Sequence, residues 1–370
     1  MRVLTVIGNR PQFVKAAAVS RLLRRDAEEV LVHTGQHYDD ALSRVFFEEL
    51  AVPPPDRELG VGGGSNTDQT ARMLAALEPL VGEVAPDVVL VYGDTNSTLA
   101  GSLVAAQAQV PLAHVEAGMR SFDRTMPEEL NRVVADHLSR WLFAPTPTAV
   151  SNLAAEGIVE GVQLVGDLMQ DLAARVSVDV RDAALLDGIG SRLGLALAPG
   201  GYLFATVHRA ENRTPDALRS WAALLAAVAG PARPVVLALH PGTRAALDAA
   251  AVELSADVCV VEPQGYRTTL ALQLHAAAVL TDSGGVQREA AWLGVPCLIL
   301  RPTTEWVEAV ADSGGRMVVV GLDAALAAAE LERLAPLSRG EAQARARAVE
   351  LGLAPAGAAE AIAAALERGE

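Results

Sequence analysis

Short runs of consecutive apolar residues alternate with longer stretches of helical periodicity along most of the chain. In the first half, Val3–Ile7, Val30–His33, Val88–Tyr92, Leu112–Val115 and Trp141–Phe143 predict strands. Pro11–Arg25, Asp39–Leu50, Asp68–Glu83 and Ser97–Ala108 predict the helices between them. In the second half the strand candidates are Tyr202–Thr206, Val235–Leu239, Val258–Val261, Val279–Thr281, Cys297–Leu300 and Met317–Val320, again separated by helical patterns. Runs that are apolar at every position, not at alternate ones, mark strands buried on both faces. The alternation therefore predicts α/β architecture with parallel sheets covered by helices. The pattern restarts after about residue 167, which predicts two Rossmann-like domains, 1–167 and 168–354, with Gly161–Asp171 as a linker. Arg181–Pro199 reads as a mixed stretch leading into the second domain, and residues 355–370 as an Ala-rich helix.

Length supports the division, because 370 residues exceed the roughly 250–300 that one hydrophobic core serves. Hydrophobic residues make up 51% and charged residues 20%, which excludes a disordered chain. A formal charge of −15 disfavours a nucleic-acid partner held by bulk charge. Cys259 and Cys297 are too few for a disulfide framework or a four-thiolate zinc site, and both lie in apolar runs. The opening MRVLTVIGNR is too short for a signal core, and no stretch approaches the roughly 20 apolar residues of a membrane helix. The expectation is a cytoplasmic protein with no membrane partner. Lys15 is the only lysine among 30 basic residues. A lysine surviving in so arginine-rich a chain points to a need for a compact, flexible charge.

In open parallel sheets, ligands bind beyond the carboxyl ends of the strands, so polar residues there are the candidates for chemistry. Gly8-Asn9-Arg10-Pro11-Gln12 follows the first strand and leads to Lys15, placing Arg10 and Lys15 near a helix N-terminus suited to anions. Neither a G-x-G-x-x-G run at this position nor a P-loop anywhere is present, which disfavours dinucleotide and P-loop sites. Asp94 and Glu116 each follow a strand, and Glu128 and Glu129 follow Pro127. Carboxylates converging on one crevice suit general acid/base work. The structural alternatives are a helix N-cap for Asp94 and a helix-dipole role for the glutamates, favoured for Glu129. His208 and His240 end successive strands of the second half, each with a basic neighbour in sequence, which points to an anionic ligand. The remaining histidines, His33, His37, His114, His137 and His275, have no convincing metal spacing, so no metal site is expected. In TDSGGVQREAAWLG, Ser283-Gly284-Gly285 opens a helix after a strand, an arrangement that cradles phosphate, and Glu289 one turn on is placed to accept ribose hydroxyls.

Together the segments GNRPQFVKAA, HTGQHYD, VYGDTNSTLA, HVEAGMRSFDRTMPEELNRVVADH, ATVHRAEN, EPQGY, LTDSGGVQREA and RPTTEW resemble the non-hydrolysing UDP-N-acetylglucosamine 2-epimerase family from Gly8 to about Gly321. The resemblance implies the GT-B (glycogen-phosphorylase-like) fold, two Rossmann-like domains facing a cleft, with the C-terminal helix 355–370 packed on the first. It implies elimination of UDP to a bound 2-acetamidoglucal and its re-addition, with no cofactor and a homodimer as the expected assembly. Arg10, Lys15, Asp94, Glu116, Glu128 and His208 fall on its active-site positions. Gln264, Ser283, Gly284, Gly285 and Glu289 fall on its nucleotide-binding positions. Two departures stand out. The family's arginine after TTE is Trp306 here, a contact Arg301 is placed to supply, and Asp39 replaces a glutamine of the substrate-activated bacterial enzymes. SFDRTMPEELNR and TEWVE are closer to the subgroup acting on UDP-2,3-diacetamido-2,3-dideoxyglucuronate, for which Arg124 and Arg267 are candidate partners of the sugar carboxylate. A UDP-sugar glycosyltransferase or a nucleotide-sugar sensor would share the SGG and Glu289 features but would not need the acid cluster.

Overall fold

The computed structural model describes residues 1–36, 54–304, 306–334 and 357–369. The helix expected over Asp39–Leu50, together with His37, Asp39 and Glu305, lies outside the described residues. The chain divides into two compact units, Met1–Leu172 with Pro355–Glu370, and Ala173–Ala354.

Unit one contains the strands β1 (Arg2–Ile7), β2 (Glu28–His33), β3 (Arg57–Glu58), β4 (Val88–Tyr92), β5 (Leu112–Val115), β6 (Trp141–Ala144) and β7 (Val162–Leu164). They form one parallel sheet in the order β3-β2-β1-β4-β5-β6-β7. The helices α1 (Arg10–Asp26), α2 (Asn66–Val84), α3 (Asn96–Gln107), α4 (Pro127–Leu138) and α5 (Pro147–Ala155) connect them, and α6 (Leu168–Val180) leaves the sheet. All five residues of β4 are buried, as a strand covered on both faces requires. The stretch read as a linker, Gly161–Asp171, instead holds the edge strand β7 and the start of α6. Val162-Gln163-Leu164 is too short and too exposed to show an apolar run; Leu164 is 56% exposed.

Unit two contains α7 (Ala183–Leu193), β8 (Leu203–Val207), α8 (Pro215–Val228), β9 (Val235–Leu239), α9 (Pro241–Ala249), β10 (Val258–Val261) and α10 (Tyr266–His275). It continues with β11 (Ala278–Thr281), α11 (Gly284–Trp292), β12 (Cys297–Ile299), α12 (Val307–Asp312), β13 (Met317–Val319) and α13 (Ala324–Leu334). Its parallel sheet has the order β10-β9-β8-β11-β12-β13. The mixed stretch Arg181–Pro199 contains α7, capped by Asp182 at its start and by left-handed Gly194 at its end.

Both sheets reverse direction of winding once, between β1 and β4 in unit one and between β8 and β11 in unit two. At such a point two loops splay apart and open a crevice at the carboxyl ends of the strands. The last helix, α14 (Ala358–Arg368), packs on α1 through Ile362 and Leu366, both buried. The Asp171 carboxylate accepts from the backbone N–H of Gly357 (3.0 Å) and Ala359 (3.1 Å), a favourable place for negative charge at a helix start.

Candidate active site

In unit one the GNRPQ run builds the floor of the crevice. Asn9 caps α1, and Gln12 completes the capping box. The Gln12 amide also donates to the Tyr92 carbonyl (2.5 Å) and to the hydroxyls of Thr95 (2.9 Å) and Thr98 (3.0 Å), locking the β1–α1 turn to the β4–α3 turn. Arg10 is the first residue of α1, and its side chain is outside the described set. One turn further, Lys15 is buried and its ammonium pairs with the Glu116 carboxylate. Glu116 adopts φ +71°, a left-handed conformation that costs a non-glycine residue about 1–3 kcal/mol and marks functional positions. Gly93 faces this pair at φ +61°. A Cβ there would lie a tight 3.2 Å from Glu116 Oε2, and the positive φ favours glycine.

Asp94 is not the N-cap of α3; Thr95 takes that place, its side chain accepting from the Thr98 N–H. The Asp94 carboxylate is instead held by Arg132 of α4, through Nη2 (2.5 Å) and Nε (3.0 Å). Arg132 Nη1 donates to Glu129 at 2.7 Å. Glu129 is buried, and it accepts from Ser121 N (2.8 Å), Ser121 Oγ (3.0 Å) and Phe122 N (3.0 Å). Burial alone would raise its pKa, but these donors and Arg132 bring it below the usual carboxylate range. Glu129 stands in the first turn of α4, as the helix-dipole reading expects, and it also pins the 121–122 loop. Glu128 is exposed on the first turn of α4, and no described contact joins it to Lys15, Asp94 or Glu116. Helix phase decides this: Glu129 and Arg132, three residues apart, share the inward face, and Glu128 does not.

Behind these groups lies a cluster that sequence reasoning passed over. His114 on β5 contacts Asp136 through Nδ1 (2.6 Å) and the Gly93 carbonyl through Nε2 (2.8 Å). Asp136 also accepts from Gly118 N (3.0 Å) and Arg120 (2.7 Å), and Arg120 makes a two-pronged pair with Glu156 (2.7 and 2.8 Å).

In unit two the organiser is Asp282, fully buried at the end of β11. It accepts from the backbone of His208 (3.0 Å) and Arg209 (2.9 Å) and from the Asn212 amide (2.9 Å), fixing the loop after β8. His208 Nδ1 stands 3.4 Å from the same carboxylate. Burial, together with the charges of Arg209, His240 and Arg213, lowers the His208 pKa against the pull of Asp282. His240 is exposed and caps α9, its Nδ1 accepting from Gly242 N at 3.1 Å. Ser283 occupies the N-cap of α11 without a side-chain capping bond. A Cβ on Gly285 would meet only the Ser283 hydroxyl at 4.0 Å, so nothing in the protein demands glycine there. Glu289 is buried and accepts from Gln273 at 2.6 Å. Gln264 donates to the Glu262 carbonyl (2.7 Å), and Arg301 Nε lies 3.8 Å from Glu211. The Arg288 guanidinium stacks 4.0 Å from the Trp306 ring and 5.4 Å from that of Trp292. Among the described residues no cluster of three or more His, Cys, Asp or Glu is placed to hold a metal ion. No described helix is long and apolar enough to cross a membrane.

A family profile described as UDP-N-acetylglucosamine 2-epimerase matches residues 21–367. The chain belongs to the UDP-N-acetylglucosamine 2-epimerase family. A UDP-2,3-diacetamido-2,3-dideoxy-D-glucuronate 2-epimerase of Pseudomonas aeruginosa is 44% identical over 327 residues, 87% of this chain and 88% of that protein. A UDP-N-acetylglucosamine 2-epimerase homolog of Methanococcus maripaludis is 43% identical over 327 residues, 87% of this chain and 89% of that protein. The crystal structure of the Methanocaldococcus jannaschii UDP-GlcNAc 2-epimerase in complex with UDP-GlcNAc and UDP is 34% identical with a TM-score of 0.80, covering 95% of this chain and 99% of that one. The two Rossmann-like units of this epimerase-family chain are those of the GT-B fold. Within it, Arg132, Asp136 and Asp282 are site-building residues that the sequence did not single out. Arg132 meets Asp94, Asp136 meets His114 and Asp282 meets the His208 loop across different elements, adjacencies that exist only once the chain is folded.

Proposed function

We propose that this chain is a non-hydrolysing UDP-sugar 2-epimerase that interconverts UDP-N-acetylglucosamine and UDP-N-acetylmannosamine. The observation that carries the reading is the pair of carboxylates at adjacent strand ends of unit one, each held by its own cation: Glu116 by Lys15 and Asp94 by Arg132. Family membership agrees with it. In the proposed reaction a base removes the proton at C2, the electron pair forms the C1–C2 double bond, and the C1–O bond breaks to release UDP. Re-addition of UDP at C1 then proceeds with proton delivery to the other face of C2. Asp94, Glu116 and Glu128 are assigned to the proton transfers, with Arg10 and Lys15 as charge partners. Fixed ion pairs suit this work, because they need no reorganisation as charge moves.

UDP recognition is assigned to unit two. The N-terminus of α11 offers its N–H groups to phosphate, with Ser283, Gly284 and Gly285 at the approach. Glu289 is assigned to the ribose. His208 is assigned to the departing diphosphate, with Gln264, His240 and Arg301 as further substrate contacts. The reading carries a homodimer, a cytoplasmic location and supply of sugars for cell-envelope polysaccharide as further proposals.

A second substrate, UDP-2,3-diacetamido-2,3-dideoxyglucuronate, is favoured by the relative at 44% identity. Arg124 is exposed and available to a sugar carboxylate, whereas Arg267 faces Asp179 at 3.6 Å. The deciding experiment supplies each UDP-sugar alone in heavy water. Deuterium at C2 with appearance of the 2-epimer is expected. Absence of exchange with every UDP-sugar refutes the proposal, and transfer of the sugar to an added acceptor would move it to the glycosyltransferases.

A further inference from the structure

His114 is fully buried, and both of its ring nitrogens face acceptors: the Asp136 carboxylate at 2.6 Å and the Gly93 carbonyl at 2.8 Å. A neutral imidazole has one N–H and one bare nitrogen. In either tautomer the bare nitrogen would point its lone pair at an oxygen within hydrogen-bond distance. Both contacts are satisfied only when the ring carries both protons.

The surroundings balance that charge. Asp136, at the far end of α4, is fully buried and faces His114 from one side and Arg120 from the other. Burial would raise the Asp136 pKa, but His114 and Arg120 bring it below the usual range. Arg120 in turn pairs with Glu156 at the end of α5, and His137 stands 4.0 Å from Glu156. His114, Asp136 and Arg120 are therefore buried together, with partly exposed Glu156 as the outer carboxylate and the Lys15–Glu116 pair beyond Gly93 as the next charges. The set spans three elements. The Gly93 carbonyl belongs to the turn that presents Asp94, His114 lies two residues before Glu116, and Asp136 lies one turn beyond Arg132 on α4.

We propose that His114 is a positioning residue, held as an imidazolium between Asp136 and the Gly93 carbonyl, that fixes the Asp94 turn against Glu116. It touches no substrate; it sets the separation of the two carboxylates through backbone. This rests on the epimerase reading for its consequence, but not for its protonation state.

The first test is nitrogen NMR of the wild-type chain with labelled histidine. At neutral pH, N–H correlations are expected from both His114 ring nitrogens. A single correlation, with the other nitrogen unprotonated, overturns the proposal whether or not any UDP-sugar is turned over. The second test is kinetic. In His114→Gln, misplacement of the Asp94 turn is expected to lower kcat by about 100-fold, as small displacements of reacting groups do, with KM and UDP affinity little changed. A loss confined to KM, or none, overturns the positioning role. Asp136→Asn removes the counter-charge that faces Nδ1. In that variant one of the two His114 ring N–H correlations is expected to disappear, and retention of both counts against the proposal. Failure of the epimerase reading would show separately, as absence of C2 exchange in the wild type.

Discussion

Replacing Lys15 by methionine keeps the length of the side chain and removes the charge that pairs with Glu116. The two side chains are 10% and 15% exposed, much nearer the buried than the surface limit. Breaking a buried pair by removing one partner costs about 3–5 kcal/mol, and an exposed pair is worth about 0–1 kcal/mol, so about 2–4 kcal/mol is expected here. For a cooperative unit of this size that lowers Tm by about 5–15 °C. Turnover should fall by about 100-fold or more, the usual cost of removing one preorganised charge partner from a site. The informative variant is the double change Lys15→Met with Glu116→Gln. A neutral pair of similar shape replaces an ion pair at little or no cost in stability, so most of the lost Tm should return while activity stays lost. Calorimetry and the C2-exchange assay read the two quantities separately. If the double variant is as unstable as the sum of the single ones, the two groups are not energetically coupled and the reasoning fails.

Gly285→Ala should leave Tm unchanged, since the added methyl meets only the Ser283 hydroxyl at 4.0 Å. It should weaken UDP binding about tenfold or more by calorimetric titration, a loss of about 1.4 kcal/mol, if phosphate approaches that backbone; unchanged affinity removes the SGG segment from the nucleotide site. Burial pushes the His33 pKa down from 6.5 to about 4. The unfolded chain therefore binds a proton that the folded one refuses, and stability, complete above pH 6.5, falls as pH drops toward 4. His33→Gln should flatten that part of the urea-denaturation profile, and a parallel profile would refute the assignment. Arg124→Ala should reduce turnover of the diacetamido-uronate by about 10- to 150-fold, the loss of a charged hydrogen bond of about 1.5–3 kcal/mol, and leave UDP-N-acetylglucosamine little affected. Equal losses on both sugars would exclude a role in recognising the uronate carboxylate.

The central strands were legible because burial on both faces writes itself as uninterrupted apolar runs; β4 and β5 match their predicted ranges residue for residue. The edges were not. Strand β3 is the two exposed residues Arg57–Glu58, and β7 is three residues of which none is buried, so neither carries a hydrophobic signature. The same division holds at the site. Asp94, Glu116, His208 and Ser283 could be found because strand ends can be found. Their partners could not, because the distance in sequence, 38 residues from Asp94 to Arg132 and 101 from Lys15 to Glu116, encodes no adjacency. The choice between Glu128 and Glu129 turned on helix phase, which Pro127 starts but does not orient. His114 was passed over because a lone histidine inside an apolar run looks like core; its two acceptors come from other elements.

The two units differ in what their crevices leave unsatisfied, and that difference matches the division of labour proposed for them. In unit one each described candidate carboxylate except Glu128 is tied to a cation within the unit: Glu116 to Lys15, and Asp94 and Glu129 to Arg132. Charges fixed in this way have environments set before a sugar arrives, which is what tuned proton transfer requires. In unit two Ser283 makes no side-chain capping bond at the start of α11, and among the described residues a Cβ on Gly285 would meet only the Ser283 hydroxyl, at 4.0 Å. A helix N-terminus with bare N–H groups is complementary to an anion from outside. A reaction that moves one proton and releases one diphosphate needs both kinds of surface. Of the three carboxylates assigned to proton transfer, Glu128, exposed on α4, has no partner among the described contacts, and its role depends on substrate reaching the first turn of that helix.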